Sequence, residues 1–458
     1  MKLFKDFFEE RFFEKDRVRM NRWLNWYTIV GLQVLVFVVA VFRLDGGCHT
    51  PDTPTYIAAA KAFARGELDL VRTPGTSFFL WLCHLLSGPY YLYMFSVVQE
   101  VLWLITVVMV WDMCRMVSRS RVFRVFVTGI YVLYEVIMYT PYTVFIGSDL
   151  LGYVTAVIFL WLSLPPLVGD DRGLLKRAVW MVLTVFAAIA IRPASLFMLP
   201  ILVVYWIVVL CMMKRKAVSG AVAALTGTVL IICALVGYRN AIERKFGFPG
   251  LTMVSYANNY VGARYYGLFR TEYIKDDVLK AQVDSFYAEN PKLTWVHRGW
   301  VEIQKFAAYD STYVLMNDAV NRSLTNDYIQ TSKMLFKRME ESANEPIVEL
   351  GLPTGLARTL LIFTPRMGVI YLFLLLFFPM LFVVRQIRFS SGDAGGAGSR
   401  EGRMAGNLAV WIFLWGYAVC NIAEVLIGAY AEYGRLSFGC YPALLIMLAP
   451  FFGEGRPR

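Results

Sequence analysis

Only 17% of this 458-residue chain is charged, and histidine occurs three times. A soluble protein of this length carries more charge than that, which excludes an ordinary water-soluble domain. His49, His84 and His297 leave little room for histidine-based proton chemistry, and nothing supports a Ser-His-Asp set. The seven cysteines are scattered, mostly inside apolar runs, with no C-x-x-C pair, which argues against a zinc or redox centre. There is no G-x-x-x-x-G-K-[ST] loop and no plausible dinucleotide fingerprint, so energy for any reaction must arrive in the substrate. The N-terminus lacks a short apolar stretch with a small-residue cleavage site, so the first apolar run is expected to stay as an anchor. No internal repeat is visible.

What the chain does have is apolar surface, 58% hydrophobic and 16% aromatic residues. Runs of about 20 residues, long enough to cross a bilayer, recur along it. They are read near 24–43, 90–112, 122–140, 150–167, 177–193, 195–213, 219–237, 367–384, 407–429 and 437–452, the last of them short. The segment 76–88 is too short to span and reads as re-entrant or interfacial. Positive charge sets the orientation. Lys2, Lys5, Arg11, Lys15, Arg17, Arg19 and Arg22 put the N-terminus in the cytoplasm. The basic connections around Arg115–Arg124, Arg172–Arg177 and Lys214–Lys216, the Gly/Ser-rich linker 385–406 and Arg456-Pro457-Arg458 then also fall inside. The net charge of +11 is therefore topology signal and anionic-lipid contact, and no nucleic-acid partner is expected.

The reading divides the chain into an N-terminal membrane core 1–237 with a first outer loop at 44–75, an outer, mostly helical region 238–366, and C-terminal spans 367–458. Within the outer region, helical periodicity predicts helices at 274–288, 291–308 and 327–342. In the first outer loop, Asp52-Thr53-Pro54 suits a helix start. Tyr56, Ala60 and Phe63 then share one face, opposite most of Lys61, Arg65 and Glu67, describing a short amphipathic surface helix that Gly66 ends.

Asp52 supports two readings, a helix cap in a solvated loop or a carboxylate held at the membrane surface for proton transfer. Asp45-x-x-x-His49-x-x-Asp52 has metal-ligand spacing, but Gly46, Gly47 and Pro51 interrupt any helix, and a polar loop is the better reading. Asp149, after Ser148, opens the fourth span. It either complements the helix dipole or orients a substrate or Asp52. Arg192-Pro193, Tyr238-Arg239-Asn240 and Glu432-Tyr433-Gly434-Arg435 all fall on the outer face. Arginines gathered there run against the usual retention of positive charge inside and suit a lipid phosphate, which guanidinium groups bind in bidentate fashion. Snorkelling, or ion pairing with Asp149 and Glu432, is the plainer alternative.

Taken in order, these motifs resemble the GT-C membrane glycosyltransferases, in particular the bacterial branch of protein O-mannosyltransferases and the lipid A aminoarabinose transferase. The pattern runs through Asp52, Tyr56 and Ala60, then Arg72, Pro74 and Gly75. It continues through Gln99, Ser148-Asp149, Arg192-Pro193, Arg239-Asn240, Glu432-Tyr433-Gly434-Arg435 and Pro442. The sequence departs from the commoner pattern at Thr53 (usually Glu), at Thr76-Ser77 (usually Tyr-Pro) and at Asp149 (more often Glu). The resemblance implies an all-α polytopic membrane protein with a GT-C-like core of about ten spans, outer juxtamembrane helices and a small outer helical region. It implies an inverting transfer of a monosaccharide from a polyprenyl-phosphate donor to a hydroxyl of a glycolipid, glycan or protein, at the outer face of the cytoplasmic membrane. Asp52 and Asp149 would be catalytic, and Tyr56, Arg72, Arg192, Arg239, Glu432 and Arg435 would bind substrate. The family is divided on metals, and no metal or other cofactor is expected here. A non-catalytic flippase or accessory subunit handling lipid-linked glycan is the alternative, and a membrane hydrolase or phosphatase a second.

Overall fold

The computed structural model describes residues 52–118, 120–134, 146–289, 312–345, 365–390, 400–428 and 436–452, together with Gly31 and Val34. The expected first span, the expected helix at 291–308, and Asp45, His49, Glu432 and Arg435 lie outside the described residues. Among the described residues the architecture is all-helical. In chain order the helices are α1 (Thr53–Ala64), α2 (Pro74–Ser87), α3 (Tyr91–Val117), α4 (Arg121–Tyr134), α5 (Asp149–Leu167), α6 (Leu174–Ile191), α7 (Met198–Met213) and α8 (Val218–Phe246). The region 238–366 supplies α9 (Met253–Tyr265), α10 (Asp277–Glu289), α11 (Thr312–Asn326) and α12 (Tyr328–Ser342). The chain then continues through α13 (Met367–Ser390), α14 (Arg400–Gly428) and α15 (Tyr441–Ile446).

Six helical stretches among the described residues are long and apolar enough to cross a membrane, one of them, Pro193–Phe246, holding both α7 and α8. The chain is a polytopic membrane protein. On α8 and α13 the outward faces carry Val222, Leu225, Val229, Ile232, Val236, Leu372, Leu375 and Phe382, all exposed and suited to hydrocarbon. Inward, Trp103, Tyr131, Tyr153, Phe159, Tyr205 and Tyr417 belong to one continuous core. Trp103 stacks on Tyr131 at 5.1 Å. The buried hydroxyls of Thr106, Tyr131 and Tyr153 are chained at 2.8 and 2.7 Å, so each of the three is paired.

Ion pairs gather the basic connections at one end of the bundle. Arg172 and Arg177 pair with Asp170 at 2.9 and 3.3 Å, and Lys216 pairs with Asp171. Asp112 accepts from Trp161 Nε1 at 2.9 Å, drawing the end of α3 to the same side. The opposite end presents the 52–75 segment, the starts of α5 and α7, and the stretch before α15.

One short segment agrees with the sequence reading, and several others differ from it. Segment 74–87 is a helix of about 21 Å, too short to span. It turns at Gly88, where φ is +56°, and packs back on α3. The apolar run read as 219–237 continues as one helix to Phe246, because nothing interrupts it before Gly247 at φ +70°. The last apolar segment is a 3-10 turn, the short α15 and another 3-10 turn. Tyr441–Phe451 is about 17 Å long against a ~30 Å hydrocarbon core, and it is buried by its neighbours instead of spanning. The described ends of the 385–406 linker are helical, as α13 runs to Ser390 and α14 starts at Arg400.

The region 238–366 forms its own core around Tyr256, Tyr260, Val283, Tyr313 and Met316, joined by Leu70. Of the expected helices, 274–288 appears as α10 and 327–342 as α12, whose cap Asp327 accepts the Gln330 N–H at 3.0 Å. Helices α9 and α11 were not legible as such. Helix α12 is tied to the membrane bundle by Arg338, 2% exposed, which donates to the Leu426 and Ile427 carbonyls at 2.7 and 3.0 Å. Those carbonyls lie in the last described turn of α14. Arg338→Met is expected to lower stability by about 2–3 kcal/mol through loss of these charge-assisted bonds. Thermal unfolding of the detergent-solubilised protein measures it.

Candidate functional site

The site is assembled from a turn. The Asp69 carboxylate accepts the backbone N–H groups of Val71 and Arg72 at 2.8 and 2.7 Å, an Asx-type turn that aims Arg72 back at α1. Thr73 is extended, as a residue before proline prefers, and Pro74 sits in the first turn of α2, where no N–H is needed. Arg72 then donates from Nε to Thr55 Oγ1 at 2.8 Å and from a terminal nitrogen to Tyr56 Oη at 3.2 Å, and its guanidinium lies 4.1 Å from the Tyr56 ring centroid. Its other terminal nitrogen meets Asp52 Oδ1 at 3.0 Å.

Asp52 does not use its side chain as a cap. It stands at the N-cap of α1, yet its side chain makes no capping hydrogen bond, and the carboxylate is turned to Arg72. The Arg72 side chain is 13% exposed and that of Asp52 is 65% exposed, so a largely buried cation holds one oxygen of a carboxylate that faces outward. The helix itself is as expected. Tyr56 and Ala60 are buried, Lys61 and Arg65 are exposed, and Gly66 ends it at φ +71°.

Tyr56 links Asp52 to the start of α5. Its hydroxyl is 2.8 Å from Ser148 Oγ. Burial pushes the Tyr56 phenol up from its ordinary value, partly offset by the Arg72 charge, so it stays protonated at neutral pH. With its oxygen accepting from Arg72, its proton is available to Ser148. Next in the chain, Asp149 Oδ1 accepts from Arg192 at 3.0 Å. Arg192 is extended because Pro193 follows it, which breaks α6 and turns the guanidinium towards α5.

Gly75 explains why the two halves fit. A Cβ there would fall 2.5 Å from the Ala190 carbonyl carbon and 2.6 Å from Ile191 N, so α2 rests directly on the backbone of α6 immediately before Arg192. Thr73 Oγ1 reinforces the contact by donating to the Ile191 carbonyl at 3.2 Å.

Of the residues singled out from sequence, Asp52, Tyr56, Arg72, Asp149 and Arg192 are drawn together. Arg239 is exposed on α8 and makes no ion pair or hydrogen bond among the described residues. Arg72 and Arg192 are each already paired to a carboxylate. Sequence reading missed Ser148 as a bridge, and it missed the pocket behind Asp149. That pocket is bounded by Gly152 and Tyr153 of α5, by Arg192 and Phe197, and by Tyr417, Asn421 and Glu424 of α14. Asn421 and Glu424 were detectable, because two polar residues three apart in an apolar span are costly unless used. No group of three His, Cys, Asp or Glu side chains suited to a metal occurs among the described residues.

No protein-family model matches the sequence, and no curated protein matches it. Two solved structures are similar in fold. One is the archaeal oligosaccharyltransferase AglB from Archaeoglobus fulgidus in complex with an inhibitory peptide and a dolichol-phosphate, with a TM-score of 0.45 and 11% identity over 92% of this chain. The other is the Archaeoglobus fulgidus oligosaccharyltransferase in the apo form, again at 0.45 and 11%, over 93% of this chain. The chain spans 50% of each of those chains. A likeness at this level assigns no residue a role.

Chemically, the arrangement offers an outward carboxylate with a fixed oxygen, a neutral phenol and hydroxyl beside it, and a second carboxylate–guanidinium pair lining a pocket that carries a few polar groups. Such a set can accept a proton from a hydroxyl and hold a polar ligand next to it.

Proposed function

We propose that the protein is an inverting glycosyltransferase that moves a monosaccharide from a polyprenyl-phosphate donor to a hydroxyl acceptor at the outer face of the cytoplasmic membrane. The observation that carries this reading is the Asp52 carboxylate, exposed on one side and gripped by Arg72 on the other. Asp52 takes the proton of the acceptor hydroxyl as that oxygen attacks the anomeric carbon. The bond from the anomeric carbon to the phosphate oxygen breaks as the new glycosidic bond forms, and the electron pair leaves with the polyprenyl phosphate. Cationic side chains near the leaving group stabilise its developing charge. Arg435 and Arg239 are the candidates, because the charges of Arg72 and Arg192 are compensated by Asp52 and Asp149. The motif order from Asp52 to Pro442 that resembles GT-C enzymes supports the same reading, as does the gathering of basic connections at the far end of the bundle.

The test is transfer in proteoliposomes carrying polyprenyl-phosphate-linked radiolabelled sugar and an envelope glycolipid extract. Label moving onto an acceptor with release of polyprenyl phosphate is the expected result. Release of free sugar without acceptor would make the protein a hydrolase. Label crossing the bilayer still attached to its lipid would make it a flippase.

A further inference from the structure

We propose that the pocket behind Asp149 is a monosaccharide subsite, read by Tyr417, Asn421 and Glu424 of α14, that takes a neutral, hydroxyl-rich ring and excludes phosphate. The inference rests on the glycosyl-transfer reading and assigns it a place for the sugar. The three residues are spaced at i, i+4 and i+7, so one face of α14 carries all of them. Asn421 is 6% exposed and Tyr417 1% exposed, and neither Asn421 Oδ1 nor Tyr417 Oη has a hydrogen-bond partner among the described residues. Buried polar atoms are almost always paired, so two orphans lining one pocket mark where a ligand's hydroxyl groups belong. Gly439 keeps the amide uncovered, since a Cβ at that position would stand 3.4 Å from Asn421 Nδ2. Glu424 makes no hydrogen bond or ion pair with a described residue and offers two more acceptor oxygens.

The remaining wall is aromatic. Phe197 lies edge-on to Tyr417 with ring centroids 5.5 Å apart, and Tyr153 closes the side towards α3. A few convergent polar groups on an otherwise apolar wall are what fix the orientation of a small ligand. Charge sets the class of ligand. The single guanidinium of Arg192 is paired with Asp149 at 3.0 Å, and Glu424 lines the same pocket. With Asp149 compensating that cation, the pocket has no net positive charge to offer an anion.

The test uses the purified full-length protein in nanodiscs, with saturation-transfer NMR of methyl glycosides of glucose, mannose and galactose and with inorganic phosphate as competitor. At least one glycoside is expected to give a signal in the wild type and in Asp52→Asn, unaffected by phosphate. Asn421→Leu and Glu424→Gln, which nearly preserve side-chain volume, are each expected to weaken it about tenfold, the equivalent of one lost hydrogen bond. Thermal unfolding of each variant verifies that it is folded. No signal from any glycoside, a signal indifferent to both substitutions in folded protein, or displacement by phosphate overturns the proposal. The two readings fail separately. Glycoside binding without transfer removes the proposed function and leaves the subsite, whereas transfer with unchanged sugar preference in both variants removes the subsite alone.

Discussion

Asp52→Asn is expected to lower kcat for sugar transfer by about 100- to 10,000-fold, the range a positioned general base supplies. The substitution is nearly isosteric, and the asparagine carbonyl can still accept from Arg72, so the turn built on Asp69 and Arg72 stays in place. What disappears is the ability to hold a proton. The contact with Arg72 involves a side chain that is 65% exposed, and such pairs contribute no more than ~1 kcal/mol to stability. Unfolding temperature should therefore barely move and KM should change little while kcat collapses. If Asp52 only anchored Arg72, the asparagine variant would keep near-normal turnover. A rate within a few-fold of wild type, with the protein folded, sinks the base assignment.

Gly75→Ala is the second large effect, and its residue touches no substrate. The added carbon would lie 2.5 to 2.6 Å from backbone atoms of Ala190 and Ile191, which cannot rotate aside as a side chain would. Either α2 lifts off α6 or the fold absorbs an overpacking cost of about 1–3 kcal/mol. Lifting α2 carries Arg72 away from Asp52 and disturbs the end of α6 that presents Arg192. A misplacement of 1 Å at reacting groups costs about 100-fold in rate, so both stability and transfer should fall. Gly237→Ala is the contrast. Its Cβ meets nothing within 4 Å on α8, and alanine is the better helix former. Thermal unfolding and turnover of the two variants, measured side by side, should separate them. Equal behaviour would mean that the α2–α6 contact does not position the site.

Much of this was legible in the sequence because the bilayer makes the code simple. Long apolar runs and basic connections announce helices and their direction, and α3, α5, α6, α7 and the described parts of α13 and α14 appear close to where the runs predict. Proline and glycine signals at Pro54 and Gly66 fixed local geometry correctly, because each acts through its own backbone. Asp52, Tyr56, Arg72, Asp149 and Arg192 were named from motif order, and they do converge. Their pairing was not legible. Which arginine meets which carboxylate depends on contacts between residues as distant as Asp149 and Arg192, or on a glycine such as Gly75 whose role is another helix's backbone. Arg239 was named from the same motif order, and it stands apart from these pairs, exposed on α8. Asn421 and Glu424 were overlooked because their span reads as apolar on average, although each is costly there alone. Arg338 gave no signal at all, since its value lies in two carbonyls at the end of α14.

The most direct test of the central claim is the anomeric configuration of the product. With a donor of defined configuration, such as a β-linked polyprenyl-phosphate sugar, NMR of the isolated product should show the α-linkage. That inversion is what a single displacement with Asp52 as base requires. A product that keeps the donor's configuration would contradict the account, because it demands a step in which Asp52 is not the base for direct attack.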